Sequence, residues 1–167
     1  DYGNQPGTGM AHLFNYAGAP WLTQKWVRKV KAAYSDVTPY GGYRDDEDQG
    51  QMGALGVLMA IGLFEVDGGC AEKPFYEITS PLFDKVTIHL DNRYYPGKTF
   101  QIITVGNSAD NMYIQRASFN GKKWNKCWFY HEDFIKGGTL ELQLGTTPNK
   151  KWGIEEFPPS SVSSDKD

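Results

Sequence analysis

The hydrophobic period of this chain changes near residue 68, and that change limits the fold more than any other feature. Before it, apolar residues recur at three- and four-residue intervals; after it, they alternate with polar ones. The first spacing lines one face of a helix and the second lines one face of a strand. The chain therefore reads as α+β, with helices over 1–68, an antiparallel β module over 69–153, and a disordered tail over 154–167.

Within the helical part, Met10, Leu13, Phe14 and Ala17 form one run that Gly18 ends. Pro20 suits the first turn of a second helix, where its missing N–H costs nothing. Leu22, Trp26, Val30 and Ala33 give that helix an apolar stripe, with Lys25, Arg28, Lys29 and Lys31 mostly off it. The segment Thr38 to Arg44, with Pro39, Gly41 and Gly42, reads as a loop. The third run, Gln51 to Leu63, is apolar nearly all round, which predicts a helix buried on every side. Gly50, Gly53 and Gly56 recur every three residues; each costs a helix about 1 kcal/mol, which close helix packing would offset.

In the β part, Val86-Ile88-Leu90, Phe100-Ile102-Thr104, Tyr113-Gln115-Ala117-Phe119 and Leu140-Leu142-Leu144 alternate with their neighbours. Period two with one polar face predicts a half-buried, sandwich-like sheet. Tyr95-Pro96-Gly97-Lys98 has the chemistry of a type II turn. Asn120-Gly121 signals a two-residue hairpin, because both residues accept positive φ. Such short connections favour antiparallel pairing.

Composition removes some function classes. Of 167 residues, 17 are Lys or Arg and 20 are Asp or Glu, for a net charge of −3. That balance argues against a nucleic-acid partner, which would require a basic patch. The longest apolar run, Ala54 to Phe64, falls far short of the about 20 residues of a membrane span. The two cysteines, Cys70 and Cys127, fit no metal-binding spacing and read as buried free thiols. The chain opens on Asp1 with neither an initiator Met nor a secretion signal, which reads as a processed or excised piece.

Chemistry concentrates in two segments. Asp45-Asp46-Glu47-Asp48 follows the glycine-bearing loop and directly precedes Gly50-Gln51-Met52. Asp48 stands as a helix N-cap, with Gln51 three residues on in capping-box register. A carboxylate at a helix N-terminus is favoured in its ionised form, as a general base requires. Asp46 and Asp48, two apart on an extended segment, would share a side, and Glu47 would point away. Asp46 could orient a water or raise the Asp48 pKa by repulsion. The second segment, Tyr2-Gly3-Asn4-Gln5-Pro6-Gly7-Thr8-Gly9, is glycine-rich and carries two side-chain amides just before a helix. Its N–H groups and amides suit sugar hydroxyls or an anion, though it lacks the residues of a Walker A loop or a dinucleotide fingerprint. The histidines do not cluster: His12 lies near Asn15 and Tyr16, while His89 and His131 read as ordinary surface or packed residues.

These segments, together with Leu13-Phe14-Asn15-Tyr16-Ala17-Gly18-Ala19-Pro20-Trp21, Ser80-Pro81-Leu82-Phe83-Asp84-Lys85-Val86-Thr87-Ile88-His89-Leu90 and Pro148-Asn149-Lys150-Lys151-Trp152-Gly153, resemble glycoside hydrolase family 92. The match runs in order from residue 2 to about residue 153. The resemblance implies a calcium-dependent, inverting exo-α-mannosidase, often α-1,2-specific, acting on mannose-containing glycans in the periplasm or outside the cell. It implies that this chain supplies the last helices of an (α/α)6 barrel and the C-terminal strands, with the rest of the parent glycosidase as its partner. By the motif, Asp48 is the base and Asp46 its companion, while Asn4, Gln5 and Gln51 are candidates for substrate binding. The family's general acid lies in a Glu-Gly-Asn-Ala-Trp segment absent from this sequence, so the isolated chain is expected to be inactive. Two departures stand out. Gln5 and Thr8-Gly9 replace a Glu and a His-His pair of the sugar site. Lys29 replaces a Glu associated with calcium, and an ammonium cannot ligate that ion. A non-catalytic carbohydrate-binding module is the alternative, since aromatic side chains on a sandwich can bind sugar unaided.

Overall fold

A computed structural model describes residues 2, 7–33, 37–38, 42 and 47–160. The expected helices form as a 3₁₀ turn Met10–His12, α1 (Leu13–Tyr16), α2 (Pro20–Ala33) and α3 (Gln51–Ile61). The strands follow as β1 (Leu63–Phe64), β2 (Phe75–Ile78), β3 (Lys85–His89), β4 (Thr99–Val105), β5 (Tyr113–Phe119), β6 (Lys122–Lys123), β7 (Trp128–Tyr130) and β8 (Gly138–Gly145), with the short α4 (His131–Phe134) after β7. They build two sheets, ordered β1-β2-β7 and β3-β4-β8-β5-β6.

Two apolar clusters sit behind these elements. A small one joins Ala11, Val27, Met52, Leu55 and Met59 of the helices. A larger one centres on Phe100, Ile102, Ile114, Leu140 and Leu142, with Phe75, Ile78 and Phe129 from the smaller sheet. Inter-element bonds join the helices to the strands. The Gln24 side-chain oxygen accepts the Ile114 N–H at 2.9 Å. Arg28 donates to the Ser80 carbonyl and hydroxyl at 3.1 and 2.9 Å, to the Pro81 carbonyl, and to Asn107 Oδ1 at 2.6 Å. Burial lowers the Arg28 pKa, and four acceptors compensate for the lost water.

Several expectations need correction. The β4–β8 pair is parallel, running from Phe100↔Gly138 to Val105↔Gln143, so the larger sheet is mixed. Everything from β5 to α4 lies between those two strands, ample length for the crossover that parallel pairing needs. Gly97 does not take the positive φ of a type II turn. It is small for another reason: a Cβ there would stand 2.4 Å from the Gly137 nitrogen. Asn120 and Gly121 do take positive φ, 50° and 75°, and close the β5–β6 hairpin. Cys127 is buried as expected, and its thiol pKa is pushed up to about 12, first by burial and then by Glu77. Cys70 is exposed. Over its described part, the expected tail is docked: Ile154 bridges Lys126, Lys126 Nζ pairs with Glu156 at 2.6 Å, and Phe157 packs against Gly18. Residues 161–167 lie outside the described residues.

The largest departure concerns α3. Only Met52, Leu55 and Met59 of this apolar helix are buried. Ala54 and Val57 face outward, Val57 being 60% exposed. Among the described residues, a helix patterned for burial on all sides is covered on one.

Candidate catalytic site

The start of α3 is built by three successive residues of left-handed backbone: Asp48 (φ 57°), Gln49 (φ 60°) and Gly50 (φ 96°). Glycine takes that region freely, but for Asp48 and Gln49 it costs on the order of 1–3 kcal/mol each. The strain is held by hydrogen bonds. The Glu47 carboxylate accepts the N–H of Gly50 through Oε2 and that of Gly53 through Oε1 at 2.8 Å. The carbonyls of Asp48 and Glu47 accept the N–H groups of Gln51 and Met52, both at 3.2 Å. The helix is therefore capped by Glu47, and the expectation that Asp48 caps it and Glu47 points away is corrected. The tight left-handed turn folds Glu47 back over the helix start, where an extended segment would have turned it outward.

Released from capping, Asp48 keeps Oδ2 buried and without a hydrogen-bond partner among the described residues. Gln51 leaves its expected capping-box role as well: its Nε2 donates to Thr8 Oγ1 at 3.2 Å. That bond brings Thr8, near the end of the glycine-rich segment, to the start of α3. Asp46, Asn4 and Gln5 lie outside the described residues.

Whether calcium fits can be judged from the donors. Among the described residues, no group of three or more His, Cys, Asp or Glu side chains is placed to hold a metal ion. Lys29 sits with Nζ 5.3 Å from the Trp26 ring, a cation–π contact with no lone pair to offer. Lys29 thus supplies none of the six to eight oxygens that a calcium ion takes.

A second constellation escaped the sequence reading. Glu77 is fully buried on β2, and its Oε2 lies 2.8 Å from His12 Nδ1 and accepts Asn15 Nδ2 at 2.6 Å. The Tyr16 pKa is raised, first by burial and then by Glu77, to which its hydroxyl is hydrogen-bonded. His12 stacks on Phe64 with ring centroids 3.8 Å apart. The only advance signal was an inward Glu in the run Phe75-Tyr76-Glu77-Ile78, with His12 and Asn15 three apart on a helical run.

Residues 1–146 match the family model described as the glycosyl hydrolase family 92 catalytic domain. An uncharacterized secreted glycosidase of Arthroderma benhamiae is 36% identical over 163 residues, which cover 95% of this chain and 20% of that protein. A solved family GH92 α-mannosidase from Bacteroides thetaiotaomicron is similar with a TM-score of 0.85 and 30% identity, over 96% of this chain and 21% of that one. A family GH92 inverting mannosidase from the same species gives 0.82 and 37%, over 95% and 21%. The chain thus spans about a fifth of the length of these relatives.

Proposed function

The chain belongs to glycosyl hydrolase family 92, and from that premise we propose that it is the C-terminal part of an inverting exo-α-mannosidase acting on mannose-rich glycans. The observation that carries the reading is Asp48 Oδ2, buried and unpartnered in a strained turn. Strain of this kind collects where a side chain must be held for chemistry. Asp48 takes a proton from a water, and that water attacks the anomeric carbon from the face opposite the departing oxygen. The leaving oxygen is protonated by a carboxylic acid in a preceding segment of the parent, the two carboxyls standing roughly 6.5–9.5 Å apart to admit the water. Asp46 is the companion of the base within the acidic motif, and Asn4, Gln5 and Gln51 meet sugar hydroxyls. The isolated chain is inactive because it lacks the acid.

The uncovered face of α3 supports the remaining architecture. Residues 1–68 supply the last helices of an (α/α)6 barrel, and the helices preceding them cover Ala54 and Val57. Residues 69–153 brace that barrel. Calcium is held by oxygens beyond the described residues, and turnover that survives exhaustive chelation would remove it from the reading. An exported enzyme suits a glycan substrate, and the Arthroderma relative is named as secreted.

Asp48→Asn in the complete enzyme tests the base. Turnover should fall by roughly 10³-fold or more while mannoside binding persists, since a base acts mainly in the transition state. Unchanged turnover would remove Asp48 from the mechanism.

A further inference from the structure

We propose that Glu47 is a positioning residue for this reaction: it caps α3 so that the Asp48 carboxylate is left free to accept a proton. The inference rests on the reading of Asp48 as the base.

Asp is among the strongest N-cap residues, and Asp48 stands where the sequence alone would use it as one. A capping carboxylate has its lone pairs drawn onto backbone amides, and a general base needs them for water. The structure divides the two tasks between neighbours. Every amide at the start of α3 is accounted for without the Asp48 side chain. Gly50 and Gly53 donate to the Glu47 carboxylate. Gln51 and Met52 donate to the carbonyls of Asp48 and Glu47, and Ala54 to that of Gly50. Glu47 reaches two amides three residues apart from outside the helix. The bridge pins residues 47 to 53 around the left-handed turn, and so fixes where Asp48 points. Asp48 Oδ2 is accordingly buried and unpartnered among the described residues. Without Glu47, the amides of Gly50 and Gly53 lose that acceptor, and the turn carrying Asp48 loses the bridge that pins it.

The test is steady-state kinetics of the complete glycosidase on an aryl α-mannoside, with Glu47→Ala, Glu47→Gln, Asp48→Asn and the double variant Glu47→Ala/Asp48→Asn. Glu47→Ala should lower kcat by roughly 10- to 100-fold with KM within about twofold, the cost of a misplaced catalytic group. Glu47→Gln keeps one acceptor oxygen and should fall between Ala and wild type; it also serves if the Ala variant does not fold. In the Asp48→Asn background, Glu47→Ala should cost nothing further, because both residues act on one step. Met59→Ala, which empties a buried position farther along the same helix, separates position from stability: it should lower Tm and keep kcat. Wild-type kcat in both Glu47 variants, with Asp48→Asn inactive, overturns the positioning role and leaves the base in place. Multiplied losses in the double variant overturn it too. An active Asp48→Asn enzyme removes the base, and the role of Glu47 with it.

Discussion

Glu77 ties the two halves of the chain together through a single carboxylate. His12, Asn15 and Tyr16 all reach it from α1 or the turn before it, and none of the groups on Glu77, His12 and Asn15 is accessible to water. Removing one member of such a set strands the others, at about 3–5 kcal/mol. Glu77→Ala should therefore lower the unfolding free energy by about that amount in denaturant titration. Glu77→Gln, which still accepts one bond, should cost less. Nothing local in the sequence announces this group, because its members meet only after β2 packs on α1. Glu65 offers a pH test of the opposite kind. Burial raises its pKa, with Asp67 adding to the rise, and the approach of His131 and the amides of Gly69 and Phe75 offsets only part of it. A carboxyl whose folded pKa is raised binds more protons folded than unfolded, so stability falls as pH rises from the unfolded pKa through the folded one. Glu65→Gln should thus raise Tm at pH 7 relative to wild type and give no advantage near pH 4. An equal shift at both pH values would mean that the gain comes from packing, not from proton binding.

Four of the eight described strands were legible, and their long-range partners were not. Alternation marked β3, β4, β5 and β8, and Asn120-Gly121 marked the β5–β6 turn, because these signals depend on residues adjacent in sequence. The parallel β4–β8 pair depends on a crossover of some thirty residues, which no local spacing encodes. The bulge in β5 is hidden in the same way. Register shifts between Ile114 and Arg116, and the Ile114 N–H is taken by Gln24 of α2, 90 residues away in sequence. Gln24→Ala leaves that N–H buried without an acceptor, which should cost about 1–3 kcal/mol. The loss should appear equally in β5 and β8 by hydrogen exchange, since they share the ladder. Protection lost in α2 alone would show that Gln24 stabilises its own helix and not the sheet. Within the acidic motif the cap falls on a different residue from the one that residue preference indicates. Capping preference pointed to Asp48, whereas the left-handed turn gives the cap to Glu47, and residue spacing carries no sign of φ.

At the scale of the whole molecule, α3 decides what this chain is. Its apolar residues point in every direction, and among the described residues only the side bearing Met52, Leu55 and Met59 is covered. Met10 and Leu13 add to the exposed apolar surface at 54% and 58%. A monomer rarely leaves such surface in water unless something docks there. The relatives, about five times longer, have the chain to cover it. One substitution separates a complete small protein from a piece of a larger one. Val57→Lys places a charge in the uncovered face, 60% exposed here. In the isolated chain it should suppress self-association in sedimentation velocity and leave Tm nearly unchanged. On the proposed barrel reading, helices of the parent enclose the same position, and a lysine there would have to bury its ammonium or force the helices apart. Tm should then fall, and mannosidase turnover with it once the barrel loosens. Opposite signs in the two contexts mean that the face is an internal contact of the parent. A neutral effect in both would make the face ordinary surface, and would remove the main physical support for placing α3 inside a barrel.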